Sequence, residues 1–355
     1  MQGGCRRGVL RGAGATADTL AGKAVRAFIV NPVLGLAGAL SFVAGFALHR
    51  GGICAVRAVH DVVEKGYWAR FLAFAECAAW ALIVLLLAEA AGHPAPAAWP
   101  GTGSTFVAAA GGALFGLGAL VNGTCAFGSA GRLAGGEVSF VLLVPGFVLG
   151  ALAALQLGVA VSLQELPTSH ASGLVWVVLV AALALFAAWR VSTAWRSAPA
   201  FGRMFAQLSA PQWPPALAMA VIAFSNVGLM LIVVAWPYTT LLLDVAVGRG
   251  MEIALRVALA LVFLAGAIAG AVSAGRFRVR GASIGELGVR LGGGFVMGFG
   301  ASMIPGGNDA LVLLGLPLLQ PTAIAAYAAM IAVIAAGFGV QKLVRRRHDA
   351  RTYVP

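Results

Sequence analysis

GLVWVVLVAALALFAAW, residues 173–189, contains no ionisable side chain. Apolar and polar residues do not alternate along it, so it does not read as a strand of a membrane barrel, whose lipid and lumen faces alternate. As a helix it would rise about 1.5 Å per residue and cross most of a ~30 Å hydrocarbon core. WALIVLLLAEAA (80–91) reads in the same way. The whole chain follows these segments: 61% of its 355 residues are hydrophobic and 10% are charged, against about 25% charged in soluble proteins. Lipid offers no hydrogen bonds to the backbone, so each span must satisfy its own N–H and C=O groups. The fold class expected is therefore an all-α integral membrane protein.

Nine spans are expected, at 32–49, 69–91, 104–122, 138–160, 172–190, 214–236, 251–272, 289–305 and 321–341. Basic loops face the cytoplasm. Loop 91–103 has no Lys or Arg, and loop 161–171 holds Glu165 and no base, which places both outside. Loop 190–213 carries Arg190, Arg196 and Arg203; loop 273–288 carries Arg276, Arg278 and Arg280; the tail carries Lys342, Arg345, Arg346 and Arg347. These three belong inside, so the C-terminus is cytoplasmic. The basic arm 1–30 conflicts with this count, because Arg6, Arg7, Arg11, Lys23 and Arg26 favour the side that nine spans deny it. Either the first apolar stretch is re-entrant or the arm is translocated.

The net charge of +12 has the same origin, since the basic residues sit between apolar runs and show no nucleic-acid-binding pattern. The four cysteines, Cys5, Cys54, Cys77 and Cys125, form no CxxC or Cys/His cluster, so no zinc or other metal site is expected. Cys77 lies in an apolar run and reads as a packing residue, and Cys5 has no assigned role. The arm 1–30 lacks the apolar core of a cleavable signal peptide. No P-loop, catalytic triad, HExxH or haem-ligand pattern is visible. No cofactor and no enzymatic activity are expected.

The halves of the chain resemble each other. LGLAGALSFVAGFALHRGGICAVRAVHD (34–61) aligns without gaps to LAMAVIAFSNVGLMLIVVAWPYTTLLLD (217–244), matching Gly45 to Gly228 and Asp61 to Asp244. GGALFGLGALVNGTCAFG (111–128) resembles GGFVMGFGASMIPGGNDA (293–310), with about one residue of slip. Span 172–190 separates two groups of four spans and so inverts the second group. The organisation expected is a basic arm (1–30), a first membrane repeat (31–171), a connecting span and cytoplasmic loop (172–213), a second repeat (214–341) and a basic tail (342–355). Inverted repeats with broken helices are the common plan of secondary transporters, whose sites lie between the repeats.

Four segments interrupt the apolar runs: HRGGICAVRAVHD (49–61), GALVNGTCAFGSAGRLAGGE (118–137), WPYTTLLLD (236–244) and GASMIPGGND (300–309). They read either as surface loops or as broken backbone lining a cavity. A helix restarting after a break aims its free N–H groups into the gap, where an anion can bind. Cys54 follows Gly52 and Cys125 follows Gly123, each just after a break; Asn308 follows Gly307 in the last break. A bound anion disfavours the thiolate, so neutral S–H groups are expected to face it. Asp309 reads as the cap of its own helix. Arg57 and Arg132 are cations that either draw an anion or mark the surface, His49, Arg50 and His60 read as surface groups, and Asp61 is expected to pair with Arg57.

GFALHRGGICAVRAVHD (45–61), GALFGLGALVNGTCAFGSAGRLAGGE (112–137) and GGGFVMGFGASMIPGGND (292–309) resemble the YeeE/YedE family of bacterial inner-membrane proteins, which includes thiosulfate transporters. The resemblance covers most of the chain and implies inverted repeats with re-entrant helices around a pathway lined by cysteines. In thiosulfate carriers of the family, three thiols pass the ion along. By this resemblance Cys54 and Cys125 are two of them, while the third position here is Asn308, within Gly306-Gly307-Asn308.

The substrate pathway expected comprises Cys54, Cys125, Asn308, Gly52, Gly123, Gly307 and Arg57, and the substrate is a small sulfur-containing inorganic anion such as thiosulfate. The partners expected are that anion, the lipid bilayer, and a sulfur-carrier or membrane partner protein. Two other readings stand beside the permease: a membrane redox component handling persulfide sulfur, and a non-transporting accessory subunit.

Overall fold

The computed structural model describes residues 31–93, 98–101, 104–159, 164–167, 174–197, 206–233, 236–248, 253–304 and 306–352. The basic arm, with Cys5, lies outside them. The helices are α1 Pro32–Gly51, α2 Ala55–Lys65, α3 Ala69–Ala90, α4 Thr105–Asn122, α5 Ala126–Ala134, α6 Leu143–Gln156, α7 Leu174–Ser197, α8 Pro215–Ile232, α9 Tyr238–Val247, α10 Ile253–Ser273, α11 Ile284–Met303, α12 Asn308–Gly315 and α13 Pro321–Thr352. Seven of the expected spans are helical stretches long and apolar enough to cross a membrane, and α11 with α12 makes an eighth, bent by 42° at its break. The ninth, 172–190, falls on α7, whose described apolar part, Val178–Thr193, is shorter. The chain is thus a helical, multi-pass membrane protein with a broken span. Two four-residue strands, β1 Ala98–Gly101 and β2 Gln164–Pro167, pair antiparallel outside the helices. They join the two base-free loops expected on one side of the membrane.

Local sequence explains where the helices stop and restart. Gly52 and Gly123 adopt left-handed backbone (φ 57° and 66°) and close α1 and α4. Such a conformation is open to glycine at little steric cost. α2 and α5 then begin directly after Cys54 and Cys125, which occupy their N-cap positions. α11 begins with a complete capping box, Ser283 with Glu286.

The helix pairings repeat across the two halves. α1 packs on α10 as α3 packs on α8; α4 packs on α13 as α6 packs on α11; α2 meets α13 as α9 meets α6. The equivalent helices α4 and α11 cross antiparallel. A Cβ at Gly111 would collide with Met303 and the Gly300 carbonyl, and one at Gly118 would collide with the Gly293 carbonyl. In the sequence alignment Gly118 matches Gly300 and Gly111 matches Gly293, so these are one contact seen twice across a two-fold axis. α1 and α8 are also antiparallel, with Gly51 against Ala218 and Leu40 against Gly228. An antiparallel relation between equivalent helices is the signature of an inverted repeat. Small residues at these crossings let backbones approach, which substitutes for a hydrophobic driving force that lipid does not supply.

Asp61 and Asp244, matched in the repeat, do equivalent work. Each ties a short helix to the next span: Asp61 to Arg70 at the start of α3, and Asp244 to Arg256 in the first turn of α10, at 2.5 Å. This corrects the expected Asp61–Arg57 pair. Asp61 is buried and faces Arg70 and Lys65, whereas Arg57 turns into a cavity. Arg50 is likewise no surface group. It is 4% exposed and donates to the Ser209 and Ala210 carbonyls and to Ser273 Oγ, holding the segment that precedes α8.

Candidate functional site

Three helix starts converge between the halves. Cys54, at the head of α2, places its Sγ 3.2 Å from Thr124 Oγ1, and its thiol lies beside the Cys125 thiol. Cys125 Sγ accepts from the Gly128 amide at 3.4 Å, inside the first turn of α5, and also faces the Ala55 amide of α2. Asn308, the first residue of α12, directs Nδ2 toward Cys125 Sγ at 4.0 Å. The order is therefore Cys54, Thr124, Cys125, Asn308. Cys125 and Asn308 occupy corresponding places in the repeat and touch each other, so they sit on the two-fold axis. Gly128 permits this closeness, since a Cβ there would crowd Thr124 Oγ1 and lie 3.1 Å from Cys54 Sγ.

A cavity of about 280 Å³ opens above Cys54. Gly52, Gly123, Thr124 and Arg57 line it, together with His49, Arg132, Glu137, Arg276, Arg278 and Arg280. Arg132 is half exposed and pairs with Glu137 at 2.8 Å. Beyond Cys54 the site closes: Cys125 is 1% exposed and Asn308 2%. The side-chain oxygen of Asn308 is buried with no hydrogen-bond partner among the described residues. Among the expected site residues, Gly307 stands apart from the cavity. Its amide donates to Thr239 Oγ1 at 2.7 Å, and it packs against Phe115.

The two halves use their helix starts differently. α2 presents its first turn to Cys125 and the cavity. Its counterpart α9 is already occupied by a carboxylate: Asp309 accepts from the Thr239 amide at 3.1 Å and from the Thr239 hydroxyl. Asp309 was expected to cap its own helix, but that helix has Gly307 at its N-cap with no side-chain cap bond, and Asp309 instead caps α9 from the opposite break. Thr124, Thr239 and the Arg276–Arg280 segment were not singled out for the site by the sequence. The arginines served only as markers of sidedness, although their spacing at every second residue is the pattern of an extended segment with one basic face.

The fold and site together define a polytopic helical membrane protein with a polar site between two inverted halves. The chain belongs to the YeeE/YedE sulphur transport family, whose model matches residues 50–336. Among curated proteins, none matches the chain.

Proposed function

We propose that the protein is a permease, not an enzyme, for a small sulfur-containing anion of the thiosulfate class, passed along Cys54, Thr124, Cys125 and Asn308. The observation that carries this reading is the contact between Cys125 and Asn308, with Cys54 beside them at the floor of a cationic cavity. The donors are neutral S–H, O–H and amide groups, backed by the N–H groups of α2 and α5. Such donors attract an anion without holding it as a fixed cation would, and conduction requires that each site release what it binds. Asn308 serves in place of a third thiol, with Nδ2 as its donor. The protein lies in a bacterial inner membrane with the cavity and C-terminus cytoplasmic, in accord with the basic loops. The path is shut at Cys125 and Asn308 in this conformation, as alternating access requires of one side at a time.

The test is thiosulfate-dependent growth, or uptake of labelled thiosulfate, in cells lacking other sulfate and thiosulfate routes. Cys54→Ala and Cys125→Ala are each expected to abolish uptake while the protein still reaches the membrane. Full uptake in both variants would remove the thiol path. A protein that supports no uptake of any sulfur anion would instead be an accessory subunit, a reading favoured by the closure at Asn308.

The proximity of Cys54 and Cys125 favours a second reading, persulfide handling, because each thiol has a resolving partner that is absent from its own break. That reading requires a sulfur adduct or a Cys54–Cys125 disulfide in the mass spectrum after substrate exposure. Unmodified cysteines during sustained uptake would exclude it.

A further inference from the structure

The cavity above Cys54 carries more positive charge than its own residues neutralise. Among the described residues its one carboxylate, Glu137, is taken by Arg132, and Arg276 donates to Gln212 at 3.1 Å. Arg57, Arg278 and Arg280 have no side-chain hydrogen bond or ion pair among the described residues. Like charges gathered around one small space repel each other, and an anion relieves that repulsion.

The backbone holds the two loop arginines in place. Arg278 N–H donates to the Gly135 carbonyl at 3.0 Å and Arg280 N–H to the Gly136 carbonyl at 2.9 Å. These bonds clip the loop after α10 onto the end of α5 as an extended segment. Gly136 is required there: its φ is +99°, and a Cβ would collide with the Arg278 carbonyl. In extended backbone, alternate side chains share a face. Arg278 and Arg280 thus both line the cavity while remaining solvent-exposed, and Val279 between them, 70% exposed, does not line it. Arg57 comes from the opposite wall, in the first turn of α2.

We propose that Arg57, Arg278 and Arg280 form a binding site of their own for a divalent tetrahedral oxyanion, which selects by charge at the cytoplasmic end of the thiol path. The proposal rests on the reading that the pathway carries an anion, and it adds a site and a charge class to that reading. Guanidinium forks match the oxygen geometry of such ions and bind them through paired charge-assisted hydrogen bonds. A monovalent halide has neither the second charge nor the spread of acceptors. A lipid phosphate shares this chemistry. The free ion is favoured because the cavity floor is Cys54 and Thr124, inside the bundle rather than on its rim.

The experiment uses the purified full-length protein in nanodiscs of neutral phosphatidylcholine, titrated with sulfate, thiosulfate or chloride at constant ionic strength. Binding is read by calorimetry and by the shift in Tm. The two divalent anions are expected to bind and raise Tm, chloride to bind about tenfold more weakly or less, and Arg278→Gln/Arg280→Gln to weaken divalent binding by about tenfold. Uptake lost in Cys54→Ala tests the thiol path, and divalent binding lost in Arg278→Gln/Arg280→Gln with both thiols intact tests the arginine site, so the two failures are separable. Arg278→Lys/Arg280→Lys keeps the charge, and an intermediate affinity is expected as the forks are lost. Equal binding by wild type and Arg278→Gln/Arg280→Gln, or equal binding of chloride and sulfate, overturns the proposal. So does stabilisation by phosphatidylglycerol nanodiscs, lost in Arg278→Gln/Arg280→Gln, when sulfate gives no shift in neutral ones.

Discussion

On the proposed path, Asn308 is the residue on which the chemistry turns. Its Nδ2 faces Cys125, while its Oδ1 is buried without a donor among the described residues. An unsatisfied buried acceptor costs about 1–3 kcal/mol. Asn308→Cys is expected to remove that cost and keep a donor facing Cys125. Its Tm should match or exceed the wild type, and thiosulfate uptake should be retained. A large fall in Tm would show that the oxygen has a partner in the membrane. Asn308→Leu removes the donor at similar volume and is expected to cut uptake by about tenfold or more. The two cysteines and Asn308 were legible from local sequence, each lying just after a glycine in a break. Thr124 was not: a threonine beside a cysteine carries no signal until the fold sets its hydroxyl against Cys54.

Among the elements, α12 is tied to α9 by Asp309. Asp309 binds the first turn of α9 through the Thr239 amide and hydroxyl. Asp309→Ala is expected to destabilise the protein by about 1–3 kcal/mol, since it strands buried donors. Thr239→Val should destabilise it too. The double variant should fall short of the sum of the two, because both remove the same contact, and thermal unfolding in detergent measures this cycle. The matched pairs Asp61–Arg70 and Asp244–Arg256 fasten α2 and α9 to the spans that follow. Asp61→Asn breaks a pair buried on both sides and is expected to cost about 3–5 kcal/mol. Asp244→Asn should cost less, because the Asp244 side chain is 27% exposed. Equal losses in the two variants would contradict this ranking. The repeat alignment of Asp61 with Asp244 was readable in the sequence. Their partners were not, because Arg70 and Arg256 sit at different distances from the two aspartates along the chain.

At the scale of the whole molecule, two inverted halves meet through glycine. Gly118 and Gly300 occupy equivalent places at the α4–α11 crossing, where a Cβ would meet opposing backbone. Gly118→Val and Gly300→Val are therefore expected to be destabilised to a similar degree, by about 1–3 kcal/mol each or more. A single sensitive site would argue against the two-fold relation at this crossing. The sidedness is open to a direct check. A reporter that folds only in the cytoplasm, fused after residue 355, should be active. One inserted in loop 91–103, which carries no Lys or Arg, should be silent. The reverse pattern would put the arginine cavity outside.

Composition and continuous apolar runs determined by themselves that this chain is a helical membrane protein, because lipid leaves a backbone almost no other way to satisfy its polar groups. Glycine and proline marked the breaks, since those residues set where a helix can stop. The weak repeat indicated the inversion. Only the tertiary structure decided what the breaks do. It brought Cys54, Cys125 and Asn308 into contact from three separate helix starts, gave α9 to Asp309 while leaving α2 facing the cavity, and turned the Arg276–Arg280 loop from a marker of sidedness into the wall of a cationic cavity. Contacts between distant residues depend on how the halves cross, and no local pattern encodes that crossing. The glycines permit it, and the packing of both halves selects it.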